Sequence, residues 1–206
     1  MNFKTTATLA ALAFAGTAMG ADVAANGGFE LGMGADADSW EEFGGASRDS
    51  SAPIAGDWSM QLNASEASGN LASGVTYNSV FNGGFASLEE NTNVNLSFDA
   101  NINLGVAGVA NYVVRILNDD GAIVADSGFQ GMTSANSLDI TVPSFGPNPN
   151  DVFAAFVLIQ TQAGAVQGSF AEATIDNVVI DATLVPAPGA LALLGLGGLG
   201  IARRRR

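Results

Sequence analysis

The sequence of 206 residues contains no cysteine and no histidine. Without cysteine no disulfide can form, so stability must come from a packed core or from a bound ion. The usual ligands of zinc and other transition metals are missing, and catalytic Ser–His–Asp or Cys–His arrangements are excluded. Oxygen atoms would have to hold any metal ion, which favours calcium.

Positive charge is scarce, with seven basic residues against twenty acidic ones and a formal net charge of −13. Five of the seven, Lys4 and Arg203–Arg206, lie near the ends of the sequence. Residues 21–184 therefore carry all twenty acidic residues but only Arg48 and Arg115, a formal charge of −18. Such a charge repels nucleic acid and anionic lipid headgroups, so we expect no nucleic-acid partner.

Residues 1–20 have the pattern of a secretory signal peptide. Lys4 supplies the positive charge at the start, and an apolar stretch rich in alanine, leucine and phenylalanine follows. Ala18 and Gly20 are the small residues that precede a signal-peptidase site, which predicts cleavage before Ala21. This stretch has no twin-arginine pair, so we expect export by the general secretory route.

Residues 185–206 consist of three ordered parts: a proline-marked break, an apolar run and a basic cluster. The residues that define the first and third parts are Val185, Pro186, Pro188, Arg203, Arg204, Arg205 and Arg206. The apolar run would form a short helix of about 21 Å, which flanking side chains can extend toward the ~30 Å hydrocarbon core of a membrane. The arginines would remain on the cytoplasmic side and stop transfer. A buried C-terminal helix of a globular domain is the alternative.

This tail resembles the PEP-CTERM sorting signal of Gram-negative bacteria, although Ala187 stands where that signal usually has glutamate. The resemblance implies transient insertion into the inner membrane and recognition by an exosortase-type protease near Pro186 and Pro188. Release or transfer to the cell surface or extracellular matrix would follow. The resemblance also implies bacteria that produce exopolysaccharide and biofilms. The expected partners are therefore signal peptidase, an exosortase and exopolysaccharide.

Strand patterns dominate residues 21–184, which we interpret as one domain. Asn93–Leu104 alternates apolar and polar residues with a period of two, which indicates a strand with one buried and one solvated face. The sequence Asn118-Asp-Asp-Gly121 between two apolar stretches predicts a hairpin, and the apolar run 152–160 predicts a central strand. We therefore expect an all-β fold, an antiparallel jelly-roll β-sandwich flanked by the signal peptide and a short C-terminal hydrophobic helix.

Three motifs in order cover nearly the whole domain. They are Asn26-Gly-Gly-Phe-Glu30, Ala55-Gly-Asp-Trp-Ser-Met-Gln-Leu62 and Thr174-Ile-Asp-Asn-Val-Val-Ile180. Together they resemble the jelly-roll carbohydrate-binding modules with a galactose-binding-like sandwich. That resemblance implies a structural calcium ion held by Glu30 and Asp176, with backbone from the Arg48–Asp57 region. The alternative is that Glu30 is a surface residue at a strand end and that Asp176 caps a turn.

Trp40, Tyr112 and Arg115 are the predicted glycan-binding residues. Trp40 begins an aromatic and acidic stretch, and Tyr112 shares the predicted hairpin with Arg115. Sugars stack on aromatic faces beside polar groups, which these residues would provide. We interpret Trp58 as a core residue. Ordinary burial in the core is the alternative for most of the aromatic residues.

Glycoside hydrolysis needs only two carboxylates at a usable spacing. The candidate pairs are Glu41/Glu42, Glu89/Glu90 and Asp119/Asp120. Adjacent residues on a strand point to opposite faces, and the aspartates lie in a predicted turn, so we expect no enzyme.

The sequence thus predicts an exported, exosortase-processed structural protein of the cell surface or of an exopolysaccharide-containing matrix. A non-catalytic carbohydrate-binding module for extracellular polysaccharide is the alternative. A glycoside hydrolase is the least favoured reading.

Overall fold

A computed structural model describes residues 21–82, 88–144 and 153–184. Within these ranges the chain forms fourteen β-strands. These ranges contain no helix long and apolar enough to cross a membrane. The predicted signal peptide, residues 1–20, and the predicted sorting tail with its hydrophobic helix, residues 185–206, lie outside the described residues.

The strands vary from two to fifteen residues in length. In chain order they are β1 (Ala21–Asp22), β2 (Gly32–Met33), β3 (Asp36–Ala37), β4 (Glu41–Phe43), β5 (Ser47–Asp49), β6 (Ser59–Ser65), β7 (Ala72–Asn78), β8 (Thr92–Leu104), β9 (Gly108–Leu117), β10 (Ile123–Asp126), β11 (Gln130–Gly131), β12 (Ala135–Thr141), β13 (Ala154–Ala163) and β14 (Phe170–Leu184).

Most of these strands belong to two six-stranded sheets. The first sheet has the order β12-β8-β14-β6-β5, with β1 also paired to β14. The second sheet has the order β10-β9-β13-β7-β4, with β11 also paired to β9, while β2 and β3 form a separate hairpin. Every one of these strand pairs is antiparallel. Both sheets contribute to one hydrophobic core, so the predicted all-β antiparallel sandwich is confirmed.

β8 shows the alternating burial that its sequence predicts. Val94, Leu96 and Phe98 are buried in the core. Asn95 and Ser97, between them, are only half-buried on the outer surface. β12 and β14 pair with the two edges of β8, one face of β8 lies in the core, and the predicted strand is confirmed.

β9 and β10 form the predicted hairpin. Asn118 closes its turn: the side-chain Oδ1 accepts a hydrogen bond from Ala122 N–H at 2.8 Å, and the carbonyl accepts one from Gly121 N–H at 3.0 Å. The predicted central strand is β13, which pairs with β7 on one side and β9 on the other. One face of β13, with Ala155, Val157 and Ile159, belongs to the core.

The core lies between the two sheets and has no disulfide to reinforce it. Its largest fully buried side chains include Tyr77, Phe29, Phe153, Met60 and Leu62. Full burial of a large apolar side chain contributes about 1.5–3 kcal/mol each. Close packing therefore supplies the stability that cross-links provide in many other exported proteins.

The first described residues run along the edge of β14 that β6 also occupies. β6 pairs with residues 170–175 of β14, and farther along the same strand Ala21 lies opposite Ala182. The phenol of Tyr77 fixes this opening segment by donating a hydrogen bond to the Val23 carbonyl at 2.6 Å. The beginning and the end of the described domain therefore lie side by side.

Candidate functional site

Asp176 is a carboxylate buried at a bulge of β14, with only 1% of its surface exposed. Its Oδ2 accepts hydrogen bonds from Ala55 N–H at 2.8 Å and from the Ser59 hydroxyl at 3.0 Å. Its Oδ1 accepts a hydrogen bond from Asn177 N–H at 2.7 Å. These donors offset the desolvation of the carboxylate. Asp176 thereby ties the closing strand to the turn that precedes β6.

Glu30 holds the other side of the same turn. Its Oε1 accepts hydrogen bonds from Asp57 N–H at 2.9 Å and Trp58 N–H at 3.3 Å. The Glu30 carboxylate lies so close to the backbone of this turn that a Cβ on Gly56, whose φ is +59°, would lie 1.8 Å from Glu30 Oε1. Both predicted calcium ligands thus converge on residues 55–59, which we call the carboxylate turn.

Arg48, on β5, supports this cluster from the side. Its guanidinium group donates hydrogen bonds to the carbonyls of Phe29 at 2.6 Å and Glu30 at 2.7 Å. The central guanidinium carbon lies 3.8 Å from the centroid of the Trp58 ring. Arg48 therefore binds backbone and an aromatic face. Within the described residues, Glu30 and Asp176 have no basic partner.

The oxygen atoms around the carboxylate turn are of the type that calcium prefers. A Cβ built on Gly28 would lie 3.8 Å from both Asp176 Oδ1 and Glu30 Cγ, so the two side chains flank one small space. No third acidic residue completes a metal-binding group within the described residues. Backbone carbonyls and water would have to supply the rest of the six to eight oxygens. Both oxygens of Asp176 and Oε1 of Glu30 already accept hydrogen bonds from N–H donors.

Two of the predicted glycan-binding residues are core residues, which corrects that assignment. Trp40 is 5% exposed, and its ring centroid lies 5.2 Å from that of Phe29 and 4.9 Å from that of Tyr77. Tyr112 is also 5% exposed, and its ring meets Phe98 edge to face with centroids 5.0 Å apart. A ring enclosed in the core offers no face to a sugar.

Arg115, the third predicted residue, lies on the outer surface of β9. Its Nε donates a hydrogen bond to Asp126 Oδ2 at 3.1 Å, and its guanidinium carbon lies 5.7 Å from the ring centroid of Phe129. Trp58, which we expected in the core, is only half-buried and carries Arg48 on one face. The structure therefore reverses the predicted burial of the two tryptophans: Trp40 lies in the core and Trp58 lies partly exposed.

The outer face of the second sheet carries a row of side chains that the sequence analysis missed. Phe43, Gly74, Gln160 and Asn111 lie opposite one another on β4, β7, β13 and β9. A Cβ on Gly74 would lie 2.6 Å from Phe43 Cζ, so the ring occupies the space above this glycine. Gln160 Nε2 donates a hydrogen bond to Asn111 Oδ1 at 3.0 Å. We call these four residues the amide row.

The amide row and its neighbours are closely packed. Gln160 is 7% exposed, and Val113, which faces outward from β9 beside Leu158, is fully buried. An outward side chain is buried this deeply only where neighbouring groups rise around it. Phe43 provides an aromatic surface, and Gln160 and Asn111 provide amide donors and acceptors. Such a set can stack on the apolar face of a ring and hydrogen-bond to its hydroxyl groups.

Residues 184–206 match the family model of the PEP-CTERM protein-sorting motif. This match confirms the tail that the prolines and terminal arginines predicted. The motif marks an exported, exosortase-processed protein of the cell surface or extracellular space. No curated protein matches the chain.

Three solved structures illustrate the similarity of the fold. The enzymatically active domain of bacteriophage CBA120 tailspike protein 4 is 17% identical with a TM-score of 0.54, over 77% of this chain and 21% of its own length. A cyclase from Fischerella sp. TAU is 13% identical with a TM-score of 0.52, over 82% of this chain and 100% of its own. The CBM22-1 xylan-binding domain of Paenibacillus barcinonensis Xyn10C is 14% identical with a TM-score of 0.47, over 81% of this chain and 97% of its own. At such identities, the first two similarities show a shared fold alone.

Proposed function

We propose that this protein is a structural protein of the cell surface or of an exopolysaccharide-containing extracellular matrix. In this proposal signal peptidase removes residues 1–20, and the tail holds the protein transiently in the inner membrane. An exosortase then cleaves near Pro186 and Pro188. The observation that carries the proposal is the sorting motif at residues 184–206, which begins at the last residue of β14.

The arrangement of the acidic residues supports a non-catalytic role. Glu41 accepts a hydrogen bond from the Thr76 hydroxyl at 3.3 Å, on the outer face of the second sheet. Its neighbour Glu42 accepts one from Ala37 N–H at 2.7 Å, on the opposite face of β4. Two carboxylates on opposite faces cannot act together on one glycosidic bond.

A non-catalytic carbohydrate-binding module is the second candidate, and the amide row favours it. Phe43 is half-buried at one end of the amide row, where its ring can contact a ligand. Within the described residues, the side chains of Gln160 and Asn111 hydrogen-bond to each other, and the amide nitrogen of the half-buried Asn111 keeps its N–H donors for a ligand. The amide row therefore replaces Trp40 and Tyr112 as the candidate glycan surface.

Structural calcium is a further part of the proposal. Glu30 and Asp176 would hold the ion beside the carboxylate turn, together with backbone carbonyls and water. The ion would neutralise two carboxylates that have no basic partner in the described part of the chain. It would also join the opening segment, the turn before β6 and the closing strand.

The test of the principal proposal is fractionation of the producing bacterium, followed by mass spectrometry of the protein's ends. We expect the surface or matrix fraction to contain protein that begins at Ala21 and ends near Pro186. A variant without residues 185–206 is the control and should not be retained there. Cytoplasmic protein with an intact tail would contradict the proposal.

A glycan array with the purified protein separates the two candidate functions. Binding that is lost in Phe43→Ala but kept in Phe129→Ala would favour the carbohydrate-binding module. Phe129 is a suitable control because its exposed ring lies between β10 and β11, outside the amide row. Absence of binding to neutral and acidic polysaccharides would favour the structural role.

A further inference from the structure

A polar cleft lies on the side of the sandwich opposite the amide row, on the outer face of the first sheet. It is a cleft of about 320 Å³ where β6, β14 and β8 run side by side. The outward side chains that line it are Gln61, Asn63, Asn101, Asn103, Glu172 and Thr174. We call this set the asparagine cleft.

Strand register arranges these side chains as a regular grid. Thr174 lies between Gln61 and Asn101, and Glu172 lies between Asn63 and Asn103. Neighbouring strands are about 4.8 Å apart, and residues two positions apart on a strand are separated by about 7 Å. The grid therefore measures about 10 Å by about 7 Å, the size of one or two sugar rings.

Several polar groups of the grid are available to a ligand. Asn103 Nδ2 donates a hydrogen bond to Glu172 Oε2 at 2.9 Å, which fixes these two side chains. The side chains of Asn63, Asn101 and Thr174 form no hydrogen bond within the described residues, and both asparagines are exposed. Each free carboxamide offers two N–H donors and one carbonyl acceptor, the complement of neighbouring hydroxyl groups.

Charge restricts the ligand class. Glu172 lies within the cleft, and Gln61 Nε2 donates a hydrogen bond to Asp49 at its edge. Among the described residues, no basic side chain lines the cleft. A uronate or phosphate group would be repelled, whereas a neutral sugar is not repelled and its hydroxyl groups can donate hydrogen bonds to the carboxylates.

We propose that the asparagine cleft binds a segment of neutral polysaccharide. This inference rests on the proposed association with exopolysaccharide and adds a site on the face opposite the amide row. A sandwich with glycan contacts on both outer faces can join two polysaccharide strands. That property would give a protein of this size a direct structural role in a matrix.

The test is NMR titration of the purified protein with cellohexaose, mannohexaose and hexagalacturonate. Side-chain amide signals of Asn63 and Asn101 should shift with at least one neutral hexasaccharide and not with hexagalacturonate. The double variant Asn63→Ala/Asn101→Ala should lose at least tenfold in affinity at this site. Both side chains are exposed, so the variant should fold. Asn93→Ala, on the same face of β8 but about 26 Å away, is the matched control and should bind as the parent does.

The results distinguish this inference from the proposed function. Unmoved cleft signals with both neutral hexasaccharides would overturn the inference, even if signals of the amide row shift. Equal affinity of the double variant and the parent would also overturn it. Neither result would affect export or delivery to the matrix, which the fractionation experiment tests separately.

Discussion

The guanidinium carbon of Arg48 lies 3.8 Å from the ring centroid of Trp58, and the same side chain donates hydrogen bonds to two backbone carbonyls. We expect Arg48→Ala to lower the free energy of unfolding by about 3 kcal/mol, because buried carbonyls lose charged donors and the stacked pair is lost. Urea denaturation measures this change.

Arg115→Ala is the control for the Arg48 prediction. Arg115 and Asp126 form an ion pair whose side chains are 26% and 40% exposed, and such pairs contribute at most about 1 kcal/mol. A loss for Arg115→Ala equal to that for Arg48→Ala would contradict the assignment of Arg48 as a structural link.

Gly56→Ala should destabilise the carboxylate turn by more than backbone strain alone. Its φ of +59° disfavours any L-residue, and the new Cβ would collide with Glu30 Oε1. Gly69 has a φ of +78° and no atom within 4 Å of a built Cβ, so Gly69→Ala measures the cost of backbone strain without a collision. We expect Gly69→Ala to cost about 1 kcal/mol and Gly56→Ala at least twice as much. Equal costs in urea denaturation would show that the turn can move away from Glu30.

Calcium should raise the thermal midpoint of the purified protein, and a chelator should reverse the change. A ligand at one hundred times its dissociation constant stabilises the folded state by about 2.7 kcal/mol. Glu30→Gln should abolish most of this effect, because a carboxamide is a poorer calcium ligand than a carboxylate. Glu66→Gln, another exposed glutamate, should leave it intact. A parent protein whose midpoint does not respond to calcium would end the metal proposal.

The two tyrosines should make the protein sensitive to alkaline pH. Burial raises the pKa of Tyr77 and of Tyr112 above the usual value of about 10. The folded state therefore favours the neutral phenols. Their contribution to stability is complete below pH 10 and is lost as pH rises through the higher pKa of the folded state.

Residues 21–184 contain no lysine, so the two tyrosines are the main side chains of these residues that titrate near pH 10. Absorbance at 295 nm should show phenolate formation above pH 10 in the folded protein and near pH 10 in urea. Tyr77→Phe should remove one of the two phenol titrations that are shifted above pH 10. It should also lower the free energy of unfolding by about 1–2 kcal/mol, because the Tyr77 hydroxyl forms hydrogen bonds with the backbone of Val23 and Ala25. Phenolate formation at pH 10 without unfolding would contradict the burial of these rings.

The two tryptophans should respond differently to truncation and to quenching. Trp40→Ala removes a buried ring and should cost about 3–5 kcal/mol, whereas Trp58→Ala should cost less than half of that. In single-tryptophan variants, acrylamide should quench Trp58 in Trp40→Phe more strongly than Trp40 in Trp58→Phe. Equal quenching would contradict the difference in burial between Trp40 and Trp58.

The burial of Trp40 shows a feature that the local sequence pattern did not predict. The alternation in β8 and the Asn118–Gly121 turn depend on neighbours in sequence, so both could be predicted. Trp40 stands beside Glu41 and Glu42, which suggested a solvated stretch. Ser39, with a φ of 71°, turns the chain so that the ring enters the core instead.

Sites formed by the register of neighbouring strands could not be predicted from the sequence either. Phe43 and Asn111 belong to one row only because β7 and β13 place Gly74 and Gln160 between them. The outward position of Gln160 within an apolar run was the available signal. For Glu30 and Asp176, the resemblance of the motifs implied a position beside backbone of the Arg48–Asp57 region, but not that the two carboxylates accept hydrogen bonds from its N–H groups.

The pairing of Ala21 with Ala182 brings the two ends of the described domain together at one end of the sandwich. If the signal peptide and the tail both engage the bilayer, both attachments leave from one end of the sandwich. The fifteen residues of β14 span about 50 Å, so the loops around Val106 and Gly168 would project farthest from the lipid. In that arrangement the long axis of the domain would stand perpendicular to the bilayer, and its two broad faces would point sideways.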